Sequence, residues 1–250
     1  MTTEFADVKR PAPLKNVVAF NGLVKRVVNR APGLPGMACF YGRSGLGKTK
    51  SAIYGANTSR AAYVEVGQYT TAKSLLRSVL LELGVANPRG SIAEMVETAI
   101  MRLSADPSRP LIVDEAHWIA QKRFVDLLRE LHDKSLAPVV LIGEETLPTA
   151  LEAFERVHNR ILEWVGAEPC DLDDARTLAR AYCLGLTVRD DLLATIVERT
   201  AGNTRRIVVN LARVLEAARV AGLTEIGLAD YDVSLISTHK APSPRRVACW

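Results

Sequence analysis

The sequence predicts an α/β protein: a parallel five-stranded sheet with flanking helices, followed by a small all-helical domain. Three observations carry this. Five short apolar runs alternate with longer stretches of helical periodicity up to about residue 166. These runs are apolar throughout, as expected of strands covered on both faces. Beyond residue 166 the strand signals stop and three helical patterns follow.

The elements can be justified in order. Residues 1–13 combine a short polar start with Pro11 and Pro13 and read as a flexible tail. Val17, Phe20, Val24, Val27 and Val28 stand at helical spacing, and APGLPG at 31–36 ends that helix. The predicted strands are MACFYG (37–42), AAYVEV (61–66), RPLIVDE (109–115), APVVLIG (137–143) and RILEWVG (160–166). With their crossover helices they make an α/β domain over 14–166. Residues 171–183, 189–202 and 203–222 are the helices of a second domain spanning 167–236. The first opens on acids, which suit the positive end of a helix dipole, and the other two reach Gly202 and Gly222 as stops. Thr224 is a candidate cap for one more helix. The tail 237–250, with Lys240, Arg245 and Arg246 among prolines and serines, is expected to be flexible and to offer a basic partner contact.

Composition excludes several classes. Of 250 residues 48% are hydrophobic and 24% charged, the balance of a globular chain. No apolar run approaches the roughly 18 residues of a membrane span, so no membrane partner is expected. The start MTTEFADVKR has no secretory pattern, and Cys39, Cys170, Cys183 and Cys249 form no CxxC, so a reducing cytoplasm is the expected location. His132, His158 and His239 have no carboxylate or cysteine at ligand spacing. The net charge of +4 is uneven: residues 1–30 carry +4, 31–165 are neutral, 166–230 carry −2 and 231–250 carry +2. Basic ends suit a polyanion partner.

The chemistry is concentrated in two motifs. Gly42, Arg43, Ser44, Gly45, Leu46, Gly47, Lys48 and Thr49 fit G-x-x-x-x-G-K-[ST] at each fixed position, between a predicted strand and a predicted helix. Glycines let such a loop wrap a phosphate with its N–H groups, and the helix N-terminus adds positive potential. Lys48 is expected to reach the β- and γ-phosphates of ATP, and Thr49 to ligate Mg²⁺. Sixty-six residues after Lys48, LIVDEAH puts acids at the end of an apolar strand, beside the loop after the first strand. Asp114 would hold Mg²⁺ through water, and Glu115 would orient and polarise the attacking water. Asp114-Glu115-Ala116-His117 also spells a helicase motif, but one phosphate loop and one acidic strand do not make the two motors such enzymes need, so His117 reads as a helix-start residue.

An ATPase followed by a helical lid resembles the AAA+ class. That resemblance implies the P-loop AAA+ fold and three further roles. A polar residue ending the fourth strand senses the γ-phosphate; LIGEET offers Glu144, Glu145 or Thr146, where Asn, Ser or Thr is usual. An arginine before the fifth strand acts in trans on a neighbour's nucleotide; FERVHNRIL offers Arg156 and Arg160, with Arg160 the better match. A lid arginine returns to the nucleotide; Gly202-Asn203-Thr204-Arg205-Arg206 is similar to G-[ND]-x-R and points to Arg205.

Finer resemblance lies in NRAPGLPGMACFYGRSGLGKT, IAEMV, RPLIVDEAHWI, APVVLIGEETLP and LEWVGAEPCDLDDARTLARAYC. These resemble the ATPase of Mu-like transposable phages, the transposition protein B family of target-selector ATPases, over roughly residues 14–230. The resemblance implies an ATP-dependent, largely sequence-independent binder of double-stranded DNA. It also implies polymerisation with itself as a helical filament or ring, stimulation of a transposase, and residence in the bacterial host's cytoplasm. The Mu protein has a helix-turn-helix domain ahead of its ATPase, whereas only about 36 residues precede the first strand here, so DNA contacts are expected from the ATPase domain itself. Two loops supply candidates: Lys73 and Arg77 in GQYTTAKSLLR, with Gln68, Thr70 and Thr71 as phosphate partners, and Lys122 and Arg123 in AQKRF. A helicase-loader-like or secretion-associated ATPase acting on a protein partner shares the same motifs. A small-molecule kinase would need an acceptor pocket and a lid inserted within the sheet domain.

Overall fold

A computed structural model describes residues 13–238. The chain divides into two compact units, one spanning Pro13–Glu168 and one running from Pro169 onward. The expectations for the basic tail at 240–246 and for nearly all of the N-terminal tail fall outside the described residues.

In the first unit the strands are β1 (Met37–Tyr41), β2 (Ala62–Glu65), β3 (Leu111–Asp114), β4 (Val139–Gly143) and β5 (Ile161–Gly166). They form one parallel sheet in the order β2-β3-β4-β1-β5. Helix α1 (Lys15–Val28) precedes the sheet, and α2 (Lys48–Ser59), α3 (Ala72–Glu82), α4 (Ile92–Ser104), α5 (His117–Gln121), α6 (Asp126–Ser135), α7 (Leu147–Glu152) and α8 (Glu155–His158) connect its strands.

Side-chain alternation sorts each strand onto two cores. Met37, Cys39, Leu111, Val113, Val139 and Leu141 join one buried cluster with residues of α3, α4 and α6. Ala38, Phe40, Ile112, Val140 and Ile142 join the other with Phe20, Leu23, Val24 and Val27 of α1. Both faces of the three inner strands are therefore dry, which is why those runs are apolar throughout, whereas the edge strands β2 and β5 are only partly buried and carry Glu65 and Glu163. Phe20 meets Phe40 edge to face at 5.3 Å. Gly55 of α2 lets α1 come close, since a Cβ there would lie 2.6 Å from the Phe20 ring.

The second unit holds α9 (Leu172–Tyr182), α10 (Asp190–Arg199) and α11 (Thr204–Ala221). Asp171 caps α9 and Asn203 caps α11 with side-chain oxygens, and Gly222 ends α11 in the left-handed conformation. Two expectations need correction here. The unit is not wholly helical: β6 (Thr187–Val188) and β7 (Glu225–Ile226) form a short parallel pair. Thr224 caps no helix; it leads into β7 and two 3₁₀ turns at Leu228–Asp230 and Val233–Leu235. A strand two residues long gives no periodic signal to read.

Candidate nucleotide-binding site

In a parallel sheet all carboxyl ends lie on one edge, and here that edge gathers the predicted chemistry. Strand β1 ends in the phosphate loop. Gly42 is in positive φ, and a Cβ there would come within 3.1 Å of Ala167, just after β5. Gly45 and Gly47 have φ of 86° and 84°. Gly47 is the N-cap of α2 and supplies no side-chain acceptor, and a helix N-terminus favours an anion. Lys48 is almost fully buried, and its ammonium donates to the carbonyls of Gly42 (2.7 Å) and Arg43 (2.8 Å). Thr49 follows on the first turn of α2, half-buried. Arg43 and Ser44 are exposed, and Arg43 pairs with Glu145 at 3.3 Å.

A residue to which the sequence drew no attention braces this loop. Asn16 of α1 is 5% exposed, and its Nδ2 donates to the carbonyls of Leu46 (2.9 Å) and Glu168 (2.8 Å). Its Oδ1 accepts from the Glu168 N–H at 2.9 Å. The loop and the end of the β5 segment are thus tied to one side chain.

The acid pair sits on the same edge, with a difference from expectation. β3 does not neighbour β1, because β4 lies between them. Two inter-strand steps separate Asp114 from the phosphate loop by roughly 10 Å, room for a hydrated cation. Asp114 is 1% exposed; its Oδ2 accepts from the Tyr63 hydroxyl of β2 (3.0 Å) and its Oδ1 from the Glu115 N–H (2.8 Å). Burial, then the Asp114 charge, push the Tyr63 phenol well above its ordinary range, so it remains a donor that fixes the carboxylate.

Glu115 occupies the left-handed region at φ 57°, a strained conformation for a side chain of this size. Burial and the Asp114 charge raise its carboxyl above the usual range; Glu144 adds to this, while His117 and Lys48 oppose it. Those influences place Glu144, just past β4, and Lys48 in the same electrostatic neighbourhood as Glu115. Of the residues offered for the fourth-strand sensor, Glu144 is exposed beside the acid pair, Glu145 is taken up by Arg43, and Thr146 opens α7. Buried His117 opens α5, as expected, but its Nδ1 also lies 3.3 Å from Glu115 Oε2.

The arginines lie on the opposite edge. Arg160 precedes β5, and its carbonyl accepts from Met37 N–H at the start of β1. The five residues of β1 rise about 3.3 Å each, so roughly 16 Å of strand separates Arg160 from the phosphate loop of its own chain. Arg160 donates to Asp133 of α6 at 2.8 Å, and Arg129 holds the same carboxylate at 2.6 Å. Burial pushes the Asp133 carboxyl up, but the hydrogen bonds from Arg160 and Arg129 outweigh it and leave the group below its ordinary range. Arg156, on α8, is exposed.

The two basic loops leave the carboxyl edge side by side. Lys122 Nζ donates to the Thr70 carbonyl at 3.0 Å, joining the turn after α5 to the loop after β2. Lys73 and Arg77 are exposed one helical turn apart on α3, and Arg123 sits at φ 61°. Thr70 and Thr71 serve the loop itself: Thr70 Oγ1 accepts from Gly67 N–H (2.8 Å), and Thr71 caps α3 with Ser74 as partner. Tyr69, which the sequence did not single out, is 89% exposed between them. In the second unit Arg205 is exposed on the first turn of α11.

A loop of positive-φ glycines, a helix end whose N-cap carries no side chain, a buried lysine, a hydroxyl on the first helical turn and a buried acid fit a nucleoside triphosphate with Mg²⁺. With the sheet order, this arrangement has the P-loop AAA+ fold. The AAA domain family matches residues 33–151. No curated protein sequence matches the chain. Among solved structures it is similar to the ORC2 protein of Aeropyrum pernix in its ADPNP and ADP complexes, with 16% identity and a TM-score of 0.65 over 86% of this chain and 65% of that one. It is similar to the ORC1 protein of Aeropyrum pernix in complex with DNA, with 18% identity and a TM-score of 0.61 over 86% of this chain and 62% of that one. Domain III of the Thermotoga maritima replication initiation protein DnaA is also similar, with 20% identity and a TM-score of 0.54 over 88% of this chain and 90% of that one. The chain thus spans less than two thirds of the length of the two Aeropyrum proteins. At these identities the likeness describes the fold.

Proposed function

We propose that this chain is a Mg²⁺-dependent ATP hydrolase that assembles with copies of itself on duplex DNA and delivers that DNA to a transposase in the cytoplasm. The observation that carries the reading is the division of the site between two edges of one sheet. Phosphate loop and acid pair occupy the carboxyl edge; Arg156 and Arg160 occupy the amino edge, a strand length from their own loop. Arginines so placed serve a second copy, where a positive group stabilises charge on the transferring phosphoryl. Arg205 is proposed to approach the nucleotide from the lid, and Glu144 to sense the γ-phosphate beside Glu115. Mg²⁺, held by Thr49 and through water by Asp114, would neutralise charge on the phosphates. The transposase assignment rests on the sequence resemblance, and the DNA assignment also on the paired basic loops.

Residues 31–165, which carry the sheet and both basic loops, are neutral overall and offer few phosphate contacts per copy, so each copy alone binds weakly. ATP-driven assembly sums those contacts along the duplex, so binding is expected to require ATP and to ignore sequence. Replacing Lys73 and Lys122 together by alanine should weaken binding on every duplex alike and flatten the salt dependence by about one unit of slope per lysine. Anisotropy titration at several salt concentrations measures both. Unchanged affinity and slope would remove these loops from the interface. Failure of the wild-type protein to bind duplex at moderate salt would favour a loader that acts on a protein partner.

A further inference from the structure

We infer that His117 is a positioning residue for Glu115, fixing through Nδ1 the carboxylate that activates water. The inference deepens the hydrolytic reading above and rests on it. His117 is 5% exposed, and its Nδ1 is buried with no hydrogen-bond partner. A buried polar nitrogen left unpaired is costly, so an orphan beside the phosphate-site acids calls for a function. The group that faces it is the Glu115 carboxylate, whose Oε2 lies 3.3 Å away but out of line for a hydrogen bond.

The ring has little freedom. It packs on Trp118 with centroids 5.0 Å apart. The turn that carries it is pinned to β4, where Ala116 N–H donates to the Ile142 carbonyl at 2.7 Å. The Glu115 backbone is equally fixed: its N–H bonds Asp114 Oδ1, and its carbonyl accepts from Trp118 N–H at 3.1 Å. Only the side-chain torsions of Glu115 remain free, and His117 is the fixed group they meet. A bare nitrogen lone pair would repel an ionised carboxylate at this range, so the ring presents N–H from Nδ1. A small rotation of the Glu115 side chain then brings donor and acceptor into line, and the second carboxylate oxygen stays available for water.

The test uses His117→Ala and His117→Asn in the full chain, with ATP turnover and nucleotide affinity measured on each. Asparagine can place an amide N–H where Nδ1 stands; alanine cannot. The expected result is a 10- to 100-fold fall in kcat for His117→Ala with KM and nucleotide Kd within about threefold of wild type, and recovery of most of kcat in His117→Asn. Wild-type kcat in His117→Ala overturns the inference. So does equal loss in both variants with a lowered unfolding temperature, which marks a packing role. Wild-type turnover by a Glu115→Gln protein removes the hydrolytic reading, and the inference with it.

Discussion

Glu115→Gln is expected to bind ATP nearly as well as the wild type and to turn it over 10²- to 10⁴-fold more slowly, the range spanned by a positioned general base. The substitution keeps the side chain's size and an oxygen able to accept from His117, but removes the negative charge proposed to polarise water. Burial and Asp114 already set this carboxyl apart from an ordinary surface glutamate. The residue is also held at φ 57°, a conformation maintained at some cost, which suits a group whose direction matters. Phosphate release together with a nucleotide-binding titration checks the prediction. Unchanged turnover would move the catalytic role away from Glu115.

Lys48→Ala is expected to abolish nucleotide binding at working concentrations, with a loss of roughly 10²- to 10³-fold in affinity, the scale of one preorganised donor in a site that excludes water. The ammonium is buried and already oriented by two carbonyls of the loop it serves. Its removal takes away the charge proposed to face the phosphates and leaves those carbonyls without this donor. Calorimetric titration with ATP measures the loss. The unfolding temperature without nucleotide should stay within a few degrees, because the loop keeps Asn16 and its glycine conformations. Wild-type affinity in this variant would mean that the loop does not hold the nucleotide.

Much of this was legible because it is local. The three inner strands β1, β3 and β4 are short runs buried on both faces, and the glycine loop lies between a strand and a helix, so position in sequence and position in space coincide. The pairing of acids with the loop could be read from type and spacing, but not the strand that separates them. Strand order depends on packing across residues 37–166, and no single run encodes it. The partners that shape the site were missed for the same reason. Asn16 reaches the Glu168 carbonyl across 152 positions, and Tyr63 reaches Asp114 across 51. Nothing in the helical pattern around Asn16 marks it. Arg160 could be placed before β5 by pattern, whereas its grip on Asp133 depends on how α6 lies against that turn.

That grip bears on the proposal that one copy completes the nucleotide site of the next. Arg160 must leave Asp133 to reach a neighbour, or Arg156, exposed on α8, must act in its place. The direct test is complementation. Arg156→Ala and Arg160→Ala proteins are each mixed with Lys48→Ala protein on duplex DNA, and ATP turnover is measured against each protein alone. At least one arginine variant is expected to be nearly inactive alone, to bind ATP as the wild type does, and to regain turnover in the mixture, where an intact loop meets an intact arginine. Full activity of dilute, monomeric wild-type protein, or full activity of both arginine variants alone, would contradict it.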